Sequence, residues 1–314
     1  MDILVILEDN HGSVHKMSIE AIVAAQSLNG SISAIVIGKN HKDLASEVSN
    51  FNVKEILTVN NSLVDSYSAD GYTEVLHDII NQKKPDLIIC GHTYQTRDYI
   101  PRLSARNDLP FIPDVIGIKD NLYIKQVLNS KLNASCSTNN GTLIISVQSA
   151  AFNAEDIKKG TPSINPFEIQ INPEKVRSIS ETPFKEDAGD IDLESAEVLV
   201  SIGRGIEKKE NVQIGFDLAK TLGAEVSASR PVVDAGWLES YRQVGSSGAS
   251  VSPKLYLALG ISGAIQHVVG MKGSKFILAI NKDPDSPLFE ISDYAVVGDV
   301  LEIVPKLNQA LQDL

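Results

Sequence analysis

Six short stretches in the C-terminal half of the chain combine residue types that could do chemistry. They are Gly203-Arg204-Gly205, Ser227-Ala228-Ser229-Arg230, Gln243-Val244-Gly245-Ser246-Ser247-Gly248, Gly260-Ile261-Ser262-Gly263-Ala264-Ile265-Gln266-His267, Asn281-Lys282-Asp283-Pro284 and Gly298-Asp299-Val300. Singly, each reads as an ordinary loop. Asn-Lys-Asp-Pro caps its own backbone and ends a strand, and His267 among apolar neighbours reads first as a satisfied core histidine. Together they describe a site for a large anion. Gly260 to Gly263 open a predicted helix whose first N–H groups lack intrahelical acceptors and can hold a pyrophosphate. The glycines keep side chains out of that approach. Arg204 and Arg230 supply cations, while Gln243, Ser246 and Ser247 offer uncharged hydrogen bonds. Neither GxGxxG nor GxxxxGK[ST] occurs, so the nicotinamide-type and P-loop fingerprints are both missing. No nucleophile–base pair or carboxylate dyad carries a recognisable signature, which argues against hydrolysis. The residues suit holding an aromatic anion and setting its electronics.

Each stretch follows or lies between elements that would bring it to one place. Strands are expected at 197–202, 224–228, 255–259, 274–280 and 294–297, with helices at 211–222, 262–270 and 300–312. Open α/β sheets bind ligands outside the carboxyl ends of their strands, where these stretches fall. The first half has the same rhythm, with apolar runs at 2–8, 31–38, 54–59 and 86–91 and amphipathic segments near 14–28, 69–82 and 95–107. Runs apolar throughout predict a parallel sheet covered on both faces. Beyond residue 111 the texture becomes β-rich (122–127, 131–138, 142–147), with Asn140-Gly141 expected as a hairpin turn. Further strands are expected at 166–173 and 176–182. The fold class is therefore α/β: two doubly wound parallel-sheet domains, the first with an antiparallel extension. Residues 1–186 form the first domain, the acidic stretch 187–195 an exposed linker, and 196–314 the second domain.

Composition narrows the function. The 314 residues are 43% hydrophobic and 22% charged, with a formal net charge of -12, which argues against a nucleic-acid or anionic-membrane role. Cys90 and Cys136 are the only cysteines and lack CxxC spacing, and the six histidines form no HxxxH or HExxH pair, so no metal site is expected. His11 and His15 are four apart, but Ser13 between them reads as a helix start. Met1 to Asp9 reads directly as a strand, without the cationic start and cleavage site of a signal peptide. No apolar run approaches the about 20 residues that span a membrane. The expectation is a cytoplasmic protein without direct membrane insertion.

The run Ser229-Arg230-Pro-Val-Val-Asp-Ala-Gly236, then Gln243-Val-Gly-Ser-Ser-Gly248, Pro253 to His267, and Ala279-Ile-Asn-Lys-Asp-Pro284 resembles the flavin domain of the alpha subunit of electron-transfer flavoprotein, over essentially all of 196–314. Gly91-His92-Thr93 and Arg97-Asp98-Tyr99-Ile100-Pro101-Arg102-Leu103 resemble that family's N-terminal domain. The resemblance implies a flavin-binding Rossmann-like second domain carrying FAD, and a heterodimer with a beta subunit that holds AMP and packs on the first domain. It implies electrons received from flavin dehydrogenases, such as acyl-CoA dehydrogenases of fatty acid beta-oxidation, and passed to a membrane quinone oxidoreductase, with no substrate of the chain's own. Carried over, Arg230 would sit against the isoalloxazine, Ser247 would bond flavin N5, and His267 would lie near the C2 carbonyl. Ser262, Gly263, Ala264, Ile265 and Gln266 would line the dinucleotide, with Arg204, Ser229 and Gly260. The loop Gln243, Val244, Gly245 and Ser246 would flank the ring, and Asn281, Asp299 and Val300 the phosphate–ribose–adenine portion. Where the family commonly reads Gln-Thr-Gly-Lys, this chain has Ser246-Ser247-Gly248-Ala249. Ser247 keeps the hydroxyl but not the methyl. Two alternatives stay open: a specialised nitrogen-fixation or bifurcating electron-transfer flavoprotein, and a non-redox adenine-nucleotide module.

Overall fold

The computed structural model describes residues 1–128, 132–138, 141–178, 180, 192–193 and 196–313. The chain divides into two compact units, 1–184 and 185–314. The expected linker 187–195 lies outside the described residues, except for Asp192 and Leu193.

The first unit runs β1 (Asp2–Ile6), a small hairpin of β2 (Asp9–Asn10) and β3 (Ser13–Val14), α1 (Lys16–Gln26), β4 (Ser31–Ile37), α2 (His41–Glu47), β5 (Glu55–Val59), α3 (Ala69–Lys83), β6 (Leu87–Gly91), α4 (Tyr94–Asn107), β7 (Phe111–Lys119), β8 (Leu122–Val127), β9 (Leu132–Cys136), β10 (Leu143–Val147) and β11 (Ser163–Pro166). One sheet contains nine of these strands in the order β11-β5-β4-β1-β6-β10-β7-β8-β9. Pairing is parallel from β11 to β7 and antiparallel for β7–β8 and β8–β9. The central strands are apolar throughout because both faces are covered. Ala21, Ile22 and Ala25 of α1 with Leu44 of α2 pack on one face, and Leu76 and Ile79 of α3 with Ile100 and Leu103 of α4 on the other.

Three local expectations are corrected. Asn140 of the expected Asn140-Gly141 turn lies outside the described residues, and the strands on either side do not pair as a hairpin, because β10 inserts between β6 and β7. The tight antiparallel turn is at Asp120-Asn121, where both residues take positive φ, 51° and 61°. Residues 167–172 are not strand: Phe167, Ile169 and Ile171 drape over the α3–α4 face. For 176–182 only 176–178 and 180 are described, and they are irregular. Ser13 lies in β3, and α1 is capped instead by His15, whose Nδ1 accepts from the Met17 N–H at 3.1 Å.

The second unit runs β12 (Val198–Ile202), α5 (Gln213–Leu222), β13 (Glu225–Ala228), α6 (Arg230–Asp234), β14 (Leu255–Leu259), α7 (Ile265–Val268), β15 (Ile277–Asn281), β16 (Tyr294–Val297) and α8 (Val300–Gln312). Its five strands are all parallel, ordered β13-β12-β14-β15-β16. Winding direction reverses between β12 and β14, which makes the carboxyl ends of those strands the topological switch point of the sheet. Val200, Ile202, Leu257 and Leu259 pack with Leu218 of α5 and Val304 of α8. The opposite face is covered by loop residues instead: Val244, Val251, Ile261, Met271 and Leu288 pack on Leu199, Tyr256 and Ala279. The helix expected at 262–270 shrinks to four residues. Gly260 and Gly263 at φ +65° and +86° are outside helical geometry, so no helix can start before Ala264.

Candidate flavin site

The loop leaving β14 carries the densest hydrogen-bonding capacity at the sheet edge. Among the described residues, none accepts a hydrogen bond from the backbone N–H of Ser262, Gly263, Ala264, Ile265 or Gln266. Ser262, Ala264, Ile265 and Gln266 are exposed and Gly263 between them is buried, so four of these five residues stand at the surface, where an anion can approach the row. The glycines have a different task from the one expected. A Cβ on Gly203 would lie 2.3 Å from the Gly260 oxygen, and one on Gly260 would lie 2.7 Å from Gly205 Cα. A Cβ on Gly263 would meet the Leu288 nitrogen at 2.3 Å. These residues are small so that loops can touch each other. Gly205 N–H donates to the Gly260 carbonyl at 2.9 Å, which fixes the β12 and β14 exits to one another. The amide row is thus held by neighbouring backbone.

Two guanidinium groups flank that row. Arg204, at the exit of β12, is exposed and has no hydrogen-bond or ion-pair partner among the described residues. Arg230 opens α6 at the end of β13 and, among the described residues, reaches only Asp234 on its own helix, at 3.3 Å and two-thirds exposed. Such a pair contributes little and is readily given up. Ser229 is buried at the helix entry, and its N–H donates to Ile202 O at 2.9 Å, which ties β13 to β12.

The Gln243–Gly248 loop lies against the same edge. Val244 N–H donates to Ala228 O at 2.9 Å, and Ser246 N–H to Gln266 O at 2.7 Å. Gly270 fits under Gly245 so closely that a Cβ would meet Gly245 N at 2.4 Å. Gln243 Nε2 donates to Ser247 Oγ at 3.0 Å. Ser247 is exposed, and its own hydroxyl proton stays available to a further acceptor.

His267 is enclosed by protein groups. It is buried, with Nε2 2.9 Å from the Tyr256 hydroxyl and Nδ1 3.1 Å from Val244 O. Burial lowers its pKa to about 4, against a smaller opposite effect of the Val244 carbonyl. The ring is therefore neutral, and both nitrogens are engaged by protein. A direct bond to a ligand would require breaking one of these two.

At the far side, Asn281 Nδ2 donates to Ile261 O at 2.9 Å, and Asp299 Oδ1 caps α8 by accepting from Leu301 N–H at 2.8 Å. Val300 is the buried first residue of that helix. Sequence reasoning missed Lys282, which bridges Glu207 at 2.6 Å and Asp299 at 3.1 Å. The hydrogen bond to Glu207 and then that to Asp299 raise its pKa. Asp299 is held below its usual range by the Leu301 N–H and by Lys282. Glu207 has φ +71° and ψ -41°, a strained backbone for a non-glycine residue. The only sequence signal was the position of Lys282 inside Asn-Lys-Asp-Pro.

Comparison with known proteins decides the family. Residues 3–171 match the electron transfer flavoprotein domain, and residues 192–272 match the electron transfer flavoprotein FAD-binding domain. The alpha subunit of electron transfer flavoprotein from Bacillus subtilis is 33% identical, over 99% of this chain and 98% of that protein. The chain belongs to the electron-transfer flavoprotein alpha-subunit family. A probable mitochondrial alpha subunit from Cryptococcus neoformans is also 33% identical, over 99% of this chain and 92% of that one. A protein named FixB from Clostridium saccharobutylicum is 31% identical, over 96% and 94%.

The matched flavoprotein segment ends at residue 272, before Asn281, Asp299 and Val300. Parallel pairing of β14, β15 and β16 brings those residues to the edge that carries the amide row. Among the described residues, no helix is long and apolar enough to cross a membrane.

Proposed function

We propose that this flavoprotein alpha subunit binds FAD at the carboxyl edge of its second sheet and passes single electrons between protein partners. The observation that carries the reading is the row of five unpaired backbone N–H groups at 262–266, held at the switch point and flanked by Arg204 and Arg230. That donor set fits a diphosphate, which needs many donors and a cation but no shape-specific pocket. The same row with Arg204 and Ser229 holds the diphosphate. Asn281, Asp299 and Val300 lie toward the adenosine, where Lys282 balances the carboxylate of Asp299. Arg230, loosely paired, turns from Asp234 toward the ring system. Ser247, its oxygen held by Gln243, would offer its hydroxyl proton to the ring system. When bound, the isoalloxazine supplies one-electron chemistry; the chain's residues orient it and favour the added negative charge. A fixed cation near that charge, partly desolvated, contributes on the order of 1–3 kcal/mol.

In this reading the chain works as a heterodimer with a beta subunit that carries AMP. Flavin dehydrogenases donate, and a membrane quinone oxidoreductase accepts. Co-purification with the beta partner, followed by counting FAD and AMP per heterodimer, tests it. One FAD and one AMP are expected. A colourless complex that takes up no FAD refutes the reading, and two flavins without AMP replace it with the specialised type.

A further inference from the structure

Beneath the cofactor loops, adjacent strands send three polar side chains to one face of the sheet. Ser201, Ser227 and Tyr256 are all fully buried, and the parallel register puts Ser201 beside Ser227 and beside Ala258, two residues from Tyr256. The Tyr256 hydroxyl reaches His267 Nε2 at 2.9 Å, and His267 Nδ1 reaches Val244 O at 3.1 Å. The direction of both bonds follows from chemistry. A carbonyl only accepts, so Nδ1 carries the imidazole proton; Nε2 is the bare lone pair, and Tyr256 donates to it. Burial agrees: it keeps the imidazole neutral and pushes the phenol above its ordinary value, so the phenol keeps its proton. The buried hydroxyls of Ser201 and Ser227 share that face, yet neither forms a hydrogen bond to any described residue. His267 is therefore the firm partner of Tyr256.

Resting on the flavin reading above, we propose that Tyr256 is the positioning residue of the cofactor loop: its hydroxyl fixes His267 in one tautomer, and His267 fixes the Val244 carbonyl. Val244 is the pivot of that loop. Its N–H is held by Ala228 O, the next turn is pressed on Gly270, and Ser246 N–H closes on Gln266 O at 2.7 Å. Gln266 in turn ends the amide row. The chain Tyr256–His267–Val244 thus sets the Ser246–Ser247 hydroxyls against the row that holds the diphosphate. A tyrosine serving only to fill space would leave this geometry unchanged when its oxygen is removed.

The test uses the full chain, nitrogen-15 labelled, with and without FAD. Wild-type His267 is expected to show the Nδ1–H tautomer alone. Tyr256→Phe is expected to populate both tautomers, to speed hydrogen exchange at the Ser246 amide at least tenfold, and to raise the FAD dissociation constant about tenfold. Ser201→Ala should alter none of these. The proposal is overturned if Tyr256→Phe keeps the single tautomer and slow exchange, or loses them with FAD affinity unchanged within twofold. The Nε2–H tautomer in wild-type protein overturns it without any variant. A wild-type chain that takes up no FAD refutes the flavin reading alone, because tautomer and exchange in FAD-free protein still decide the role of Tyr256.

Discussion

Glu20 gives the first unit a pH dependence that can be measured in isolation from the flavin site. It lies on the inward face of α1 at 1% exposure, where its Oε2 accepts from the Ala150 N–H at 2.9 Å. Burial raises its pKa from the usual 4.5 to about 7; the Ala150 bond, Lys16 and His15 oppose this less strongly. With each tenfold change in proton affinity worth about 1.4 kcal/mol, that climb amounts to roughly 3 kcal/mol. The sign follows from proton counting. Between pH 4.5 and about 7 the folded chain holds a proton that the unfolded chain has released, so stability falls as the pH rises through this window. Above it the loss is complete. Glu20→Gln keeps an oxygen for Ala150 and cannot ionise, so the variant should gain about 3 kcal/mol on wild type between pH 4.5 and 8. The change in the difference is the quantity to read, since any fixed cost of the new amide cancels. Urea unfolding by circular dichroism, with hydrogen exchange of the β6 and β10 amides to isolate this unit, measures it. A difference that stays flat across that range refutes the desolvation argument.

Other substitutions probe the second unit. Gly203→Ala puts a Cβ against the Gly260 oxygen and must displace the β14 exit. It should cost about 1–3 kcal/mol of stability and weaken FAD binding at least tenfold in an equilibrium titration. Gly263→Ala combines a clash at Leu288 with φ +86°, so its thermal midpoint should fall further than that of Gly223→Ala, which has open space at φ +62°. Arg242 is buried over Phe216 and donates to Val226 O at 2.7 Å; Arg242→Ala should cost about 2–4 kcal/mol, read from Trp237 fluorescence during unfolding. Lys282→Met removes only solvent-exposed ion pairs, so the unfolding midpoint should barely move, with any difference vanishing at high salt.

Much of the architecture is legible in residue order. The apolar runs of β1, β4, β6 and β14 announce strands buried on both faces, and the positions of Gly203, Ser229, Gly260 and Asn281 just after strands predict the binding edge. Periodicity does not reveal partners. The insertion of β10 between β6 and β7 defeats the Asn140-Gly141 hairpin because a turn dipeptide does not carry strand order. Enclosure is likewise invisible in the sequence: the identity of His267 permits either a ligand or a core role, and only the structure shows its ring bonded to Tyr256 and Val244.

The order of residues by itself determined the α/β class, the two-part organisation and the set of loops from which the site is drawn. Those follow from local hydrophobicity, backbone freedom and hydrogen-bonding type. Only the tertiary structure decided that the glycines space loop from loop, that Lys282 joins Glu207 to Asp299, and that five amides find no acceptor among the described residues. The reason is that each depends on distance between segments far apart in the chain, which packing sets and local composition does not encode.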